Sequence, residues 1–453
     1  MSAGRAAAPA VAARRPGDTG RPQVLRLPFH RGTTAQVSSI YPFQVDGGLG
    51  ARGICMGLNV LSGDGFYFDP FTLYADKVIT NPNVIVLGEV GSAKSSFVKT
   101  MMARHVGLLG QRGAGRQVFA LDPKQEYEAL AHAVGIPILQ LRPGGHRRVN
   151  PLAAAADGES AGELLVRRTQ LLVALLSSIK GRRLDAIEHA VLAWALEALA
   201  DRERPHRSPT LRDLAGELAD PSEVTASRAR RARDELREDA RGLWLDVDRL
   251  VSRDLAGMFD GEEPLASLWE QSGRGLVLDV SAVFHDRQLL SLVMLAAVSA
   301  LQSVFATPAG CDERALPRRL SVVDEGWAVL GDEDAARFFQ SSLKLSRKWG
   351  ISNVLVFHRI TDAGAQSDSG TAAAKIADGL IADAEIKVIF RTHPRVLQQT
   401  ATAFALSEEE AAALPSLPRG RALWKLAGTS AFVDHVRSDF EARFTDTDSR
   451  LEV

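Results

Sequence analysis

The chain has 453 residues, 45% of them hydrophobic and 24% charged, and a formal net charge of -1. That length accommodates about two or three domains, and the near-zero charge excludes a global basic field that would hold the chain on nucleic acid or anionic lipid. Cys55 and Cys311 belong to no CxxC or Cys/His cluster and read as reduced thiols, and the ten histidines show no ligand spacing, so neither a disulfide framework nor a zinc site is expected.

In chain order, residues 1–24 are rich in Ala, Arg, Pro and Gly and lack an apolar signal core; a disordered tail is expected. Residues 25–80 carry short apolar runs between Gly- and Asp-containing turns and read as a β-rich segment. Residues 81–160 hold two strand-like runs, Val84–Leu87 and Gln117–Leu121, around a helix that begins near Lys94. This βαβ spacing implies a parallel sheet. Residues 161–258 turn charged and helically periodic, which predicts an all-helical insertion. Strand–helix alternation resumes over 259–440. Strands are expected at Gly275–Val280, Leu320–Val323, Ile351–Phe357, Lys387–Phe390, Ala422–Leu426 and Ala431–Val436, and helices at about Gln288–Phe305 and Glu333–Trp349. Residues 441–453 read as a tail. The most apolar stretch, Leu292–Ala306, is interrupted by Ser299, Gln302 and Ser303 and falls short of the roughly 18 apolar residues of a membrane span. A cytoplasmic protein is expected, peripheral at the inner face of the membrane if it works there. The expected fold class is α/β: an open, mostly parallel sheet with one large all-helical insertion.

The strongest motif is GEVGSAKSS, Gly88 to Ser96, between a buried strand and a helix. It matches the G-x-x-x-x-G-K-[ST] phosphate loop with Ala93 in place of the last glycine. Successive backbone N–H groups of Gly88, Glu89, Val90, Gly91, Ser92 and Ala93, with the helix N-terminus at Lys94, Ser95 and Ser96, would line an anion hole. Lys94 would reach the β- and γ-phosphates of ATP, and Ser95 would coordinate Mg²⁺. Gly88 and Gly91 allow the tight curl. The methyl of Ala93 stands where backbone approaches phosphate.

Hydrolysis also needs a carboxylate for Mg²⁺ and a base for water. LSVVDEGWAVL supplies both at the end of a buried strand, where parallel sheets collect their ligands: Asp324 for the metal and Glu325 for the water. Asp122 and Glu126, after the strand that ends at Leu121, face the same crevice, and His358 at the end of Ile351–Phe357 could sense the γ-phosphate. Arg391, Arg419 and Arg421 are candidates for an arginine finger reaching a neighbouring subunit.

Two other motifs carry no chemistry. Gly158–Gly162 fits G-x-S-x-G but lacks the strand a nucleophile elbow requires, and Gly48–Gly53 fits G-x-G-x-x-G with no helix after it. The arginines from Arg228 to Arg241 alternate with acids, which predicts a salt-bridged solvated helix.

GEVGSAKSS, FALDPKQEYEALA, Val149-Asn150-Pro151-Leu152 and SVVDEGWAVL, in that order around a helical insertion, resemble the type IV secretion and conjugation ATPases of the VirB-four (TraC-like) class, in the HerA–FtsK superfamily of P-loop motors. The resemblance runs from about Phe43 to near the end of the chain. It implies a RecA-like P-loop NTPase core with a mostly parallel sheet and an all-helical insertion subdomain, in a homo-hexameric ring docked on membrane secretion-channel components, with Asp122 to Lys124 near the nucleotide. This sequence departs from the family's pattern at Ala93, where the family has Gly, and at His358, where it has Gln. About eighty residues precede the phosphate loop, fewer than the family's N-terminal domain, so a separate N-terminal-domain-like subunit is expected. The alternatives are a DNA-translocating pump of the same superfamily, with a local DNA contact, and a nucleotide-gated scaffold with little hydrolysis.

Overall fold

Short runs of Val, Ile, Leu and Phe bounded by turn residues form the strands, as their β-propensity demands. The computed structural model describes residues 49–109, 115–154, 159–203, 207–261, 273–305, 316–330, 333–345, 349–358, 372–426 and 428–446. The strands are β1 Ile54–Asn59, β2 Gly65–Phe68, β3 Val84–Leu87, β4 Arg116–Asp122, β5 Ile138–Gln140, β6 Gly275–Asp279, β7 Arg318–Val323, β8 Ile351–Phe357, β9 Ile386–Ile389, β10 Arg421–Leu426 and β11 Thr429–His435. They join in one sheet of order β2-β1-β11-β10-β9-β3-β8-β7-β4-β6-β5. From β9 to β5 every pairing is parallel; from β9 to β2 every pairing is antiparallel.

Period-two alternation sends apolar residues to both faces, which marks a sheet covered on both sides. Val84 and Val86 join one buried cluster with Phe97, Met101 and Leu130, from helices Lys94–Leu109 and Glu128–Val134. Ile85 and Leu87 join the other, with Leu171, Leu292 and Phe339 from helices Ala161–Lys180, Arg287–Phe305 and Glu333–Leu345. Helix Arg287–Phe305 is long and apolar enough to cross a membrane, but 72% of its most apolar window is buried within the protein. Its Ser299 also has a partner inside, donating to the carbonyl of Pro151 at 2.9 Å.

Between β5 and β6 run helices Ala161–Lys180, Ala186–Asp201, Leu211–Ala219, Glu223–Ala229 and Arg233–Asp248. Local chemistry starts them: Ser160 with Glu163, Asp185 with Glu188 and Thr210 with Asp213 form capping boxes, and Ser222 caps the fourth. Ser160, the would-be nucleophile of the rejected elbow motif, is thus a helix cap. Arg228, Arg231, Arg233 and Arg237 pair with Asp201, Asp239, Asp220 and Asp220. The insertion is stitched to the core by the Asn150–Leu152 turn. Buried Arg168 donates to the Leu152 carbonyl at 2.8 Å and grips both oxygens of Glu203, and the Asn150 amide donates to the Pro209 carbonyl at 3.0 Å.

The described part of 25–80 holds β1 and β2, and because β1 pairs with β11 these two N-terminal strands extend the main sheet. A lone hairpin buries too little surface to stand by itself, and here Phe66 and Phe68 pack on buried Trp424, each 4.9 Å between ring centroids. The segment from 441, expected as tail, belongs to helix Asp439–Thr445. Its Phe444 is buried and its Glu441 takes a bidentate bond from Arg104 at 2.6 and 2.7 Å. The short strand β5 and the helix Glu128–Val134 were not predicted, being too brief to show a period. The tail at 1–24 and Cys311 lie outside the described residues; Cys55 is an exposed free thiol.

Buried His105 and half-buried His435 are expected to make this fold acid-sensitive. Burial pushes His105 down to about 4, with the Arg116 charge adding to the fall, and burial likewise pushes His435 to about 4 from 6.5. His435 bridges β1 and the phosphate-loop helix, its Nδ1 2.9 Å from the Met56 carbonyl and its Nε2 3.3 Å from the Thr100 hydroxyl. Both folded values lie below the unfolded value, so their contribution is complete above pH 6.5. It is lost as pH falls from 6.5 toward 4, because the unfolded chain takes up protons that the fold refuses. Urea unfolding at pH 5 should show a loss of about 2 kcal/mol per histidine relative to pH 7, and His105→Gln with His435→Gln should flatten that slope.

Candidate nucleotide-binding site

Because β3, β8, β7, β4 and β6 are parallel, their C-terminal ends share one edge. Leu87 lies opposite Phe357, Val323 opposite Leu355 and Leu121 opposite Val323. The loop after β3 and the acidic pair after β7 therefore stand on the same side of the sheet, with β8 and its terminal His358 between them.

The Gly88–Ser92 segment curls tightly. A Cβ on Gly88 would lie 2.6 Å from Cβ of Phe390, and Gly91 is left-handed at φ +78°. The Ser92 hydroxyl donates to the Glu89 carbonyl at 2.7 Å, the Glu89 amide to the Arg391 carbonyl at 2.9 Å and the Gly420 amide to the Ser92 carbonyl at 3.2 Å. Val90 is exposed at the tip. Helix Lys94–Leu109 starts directly after the loop, so its free N–H groups and positive dipole end face the curl. Ser95 is half-buried at the helix start, whereas the Ser96 hydroxyl is turned to Arg437, which donates to it at 3.1 Å.

Ala93 adopts φ +79°, the left-handed region that costs a residue with a Cβ about 1–2 kcal/mol. The glycine that normally ends such a loop answers a backbone requirement, and this chain keeps the conformation without the glycine. Ala93→Gly should raise the unfolding free energy by about 1 kcal/mol, net of the extra chain entropy of glycine; chemical denaturation of the two proteins checks it.

Four charged or titratable side chains meet beneath the loop. Lys94, 4% exposed, donates from Nζ to the Glu89 carbonyl at 3.0 Å and lies 3.2 Å from Nδ1 of His358. On its other side, Nε2 of His358 lies 2.7 Å from Oε1 of Glu325. Lys124 pairs with the same carboxylate oxygen, its Nζ 2.9 Å from Nε2 of His358, and the Trp327 indole donates to Oε2 of Glu325. Glu325 is 2% exposed and left-handed at φ +53°, a strained backbone that aims its carboxylate into this cluster.

The charges tune one another. Burial lowers the Lys94 ammonium to about 8, opposed by Asp324 and assisted by the Lys124 charge. Burial alone would raise Glu325, but bonds from His358 and Lys124 outweigh it and bring it to about 2. Burial, then the charges of Glu325 and Glu126, raise Asp324 to about 7. Asp324 accepts the Glu325 amide at 2.9 Å and lies 3.5 Å from the Tyr127 hydroxyl. Burial lowers the Lys124 ammonium, yet the ion pair with Glu325 prevails and raises it overall.

Other candidates sit elsewhere. The Asp122 carboxylate is spent on the amides of Lys124, Glu126 and Tyr127 at 3.2, 3.0 and 2.8 Å; it builds the turn that presents Lys124 instead of facing the crevice. Arg391 pairs with Glu89 of its own chain beside the phosphate loop, and Arg421 is held in a bidentate pair by Asp434. Arg419 is exposed next to Gly420, which bonds the loop. Sequence reasoning missed Trp327, whose indole fixes Glu325. It also missed Lys99, buried on the phosphate-loop helix 3.7 Å from Glu126 and 5.8 Å from the centre of the Tyr127 ring. Lys99 follows Lys94 by more than one helical turn, and nothing in its spacing marks it.

Among the described residues no group of three or more His, Cys, Asp or Glu could hold a metal by itself. No protein-family model matches the sequence, and no curated protein matches it. Solved structures do share the fold. VirB4 of Thermoanaerobacter pseudethanolicus superposes with a TM-score of 0.65 at 19% identity, over 88% of this chain and 99% of that one. The plasmid coupling protein TrwB in complex with ADP and Mg²⁺ gives 0.55 at 16% identity, over 86% and 91%, and its complex with the ATP analogue ADPNP gives 0.56 at 15% over the same shares. The chain therefore has the RecA-like P-loop architecture of VirB4 and of the conjugative coupling protein TrwB.

Proposed function

We propose that this protein is a Mg²⁺-dependent ATPase whose turnover powers a type IV secretion or conjugative transfer channel from the cytoplasmic face. One observation carries the reading: the phosphate loop with buried Lys94 and the Asp324–Glu325 pair stand on the same edge of one parallel sheet, joined through His358. Solved TrwB complexes with ADP and Mg²⁺ and with ADPNP support a nucleotide in a fold of this kind.

The Ser95 hydroxyl and Asp324 carboxylate are hard oxygen donors of the type Mg²⁺ takes, together with phosphate oxygens and water. The metal would supply charge neutralisation at the phosphates. The amides of residues 88–93 and Lys94 would bind and orient the triphosphate. Glu325 would take the proton of the attacking water while its oxygen bonds the γ-phosphorus and the bridging bond to the β-phosphate breaks.

A homo-hexameric ring on channel components is the assembly this reading carries; DNA is the candidate cargo of a conjugative system. Calorimetry with Mg·ATP tests the core of the proposal. Wild type should release heat and Lys94→Ala should not. Absence of wild-type binding would end it.

A further inference from the structure

The charge cluster under the phosphate loop has a feature that a binding site for phosphate alone does not need. Both oxygens of Glu325 are occupied: Oε1 by Lys124 and by His358 at 2.7 Å, Oε2 by the Trp327 indole. Held so, the carboxylate has three of its roughly four acceptor positions filled, both of those on Oε1 among them. The two lysines flank one imidazole, Lys94 at 3.2 Å from Nδ1 and Lys124 at 2.9 Å from Nε2. Lys124 therefore stands one ring's width from the lysine assigned to the β- and γ-phosphates.

We propose that Lys124 is a γ-phosphate-triggered latch on Glu325: without a triphosphate it holds the carboxylate idle, and the γ-phosphate draws it away and frees the base. The proposal rests on the nucleotide reading above and adds what the site distinguishes, a triphosphate from a diphosphate.

The physics favours the exchange. Two ammonium groups around one imidazole repel, and Glu325 is the anion that lets them coexist. A γ-phosphate brings more negative charge than one carboxylate and offers three acceptor oxygens. ADP brings no such charge to that position and leaves the Lys124–Glu325 pair standing. The Lys124 side chain is a quarter exposed and lies 5.7 Å from the centre of the Phe284 ring, so its four-carbon stem has room to swing at the mouth of the cleft. Asp122 pins the backbone of the turn at the amides of Lys124, Glu126 and Tyr127, so only the side chain needs to move. Trp327 and His358 stay on Glu325 and keep it aimed.

The test reads binding, not turnover. The full chain, with Mg²⁺, is titrated in parallel with ADP and with a non-hydrolysable ATP analogue, as wild type, Lys124→Met, Lys124→Arg, Glu325→Gln and the double variant. Lys124→Met should weaken the analogue roughly tenfold or more and leave ADP unchanged, while Lys124→Arg keeps most of the preference. Glu325→Gln should tighten the analogue, because Lys124 no longer leaves an ion pair, and that gain should vanish when Lys124 is also Met. An equal loss for ADP and analogue in Lys124→Met would overturn the latch, as would a Glu325→Gln gain that persists without Lys124. Failure of the wild type to bind either nucleotide would instead overturn the nucleotide reading itself.

Discussion

Glu325→Gln is expected to lower steady-state phosphate release by roughly 10²–10⁴-fold, the range lost when a positioned general base is removed, with nucleotide binding kept. Glutamine preserves the shape of the side chain and can still accept the Trp327 indole proton. It cannot take a proton from water. The substitution therefore removes proton transfer while keeping the side chain's shape, which replacement by alanine would not. Phosphate release under saturating Mg·ATP, paired with calorimetric binding, makes the measurement. A nucleotide-gated scaffold would show equal, negligible turnover in both proteins, so the same pair of numbers decides between motor and scaffold.

Gly275→Ala is expected to cost at least about 4 kcal/mol of stability, a size reserved for steric conflict in a core with no room to yield. Gly275 opens β6 at φ +128°, and a Cβ there would lie 1.7 Å from the Val118 carbonyl oxygen. The obstacle is backbone of β4, already engaged in the parallel ladder to β7, so it cannot move aside without breaking that pairing. The bond from the Val118 amide to the Arg274 carbonyl, 2.9 Å, would go with it. Because β4 leads into the turn that presents Lys124, partial survivors should bind nucleotide less well as well as unfold earlier. Soluble yield and urea midpoint read the first effect. A variant within about 0.5 kcal/mol of wild type, the range of a neutral surface change, would show that the β4–β6 junction is not as close as described.

Much of this protein was legible along the chain. Buried strands such as Val84–Leu87 and Ile351–Phe357 are continuous apolar runs, and a parallel sheet covered on both faces demands that pattern. The phosphate loop is contiguous, so its curl, its glycines and the helix after it could be read from nine residues. The caps of the insertion helices are local as well: Ser160 and Glu163 are three residues apart and make their box regardless of the rest. Short elements escaped, since β5 has three residues and no period can be counted in so few.

What the sequence by itself determined is therefore local and periodic: which runs become strands, where helices begin, and that Gly88 to Ser96 forms a loop of phosphate-binding type. Tertiary structure alone decided which strands are neighbours, and the placement of side chains in the cluster follows from that choice. Insertion of β8 between β3 and β7 sets His358 between Lys94 and Glu325, residues 231 positions apart by number. The same packing turns Asp122 onto its own backbone, ties Arg391 to Glu89 and brings Lys124 to Glu325. A charged side chain takes whichever opposite charge the fold brings near it in a medium of low dielectric. Residues far apart in sequence carry no local sign of that partner.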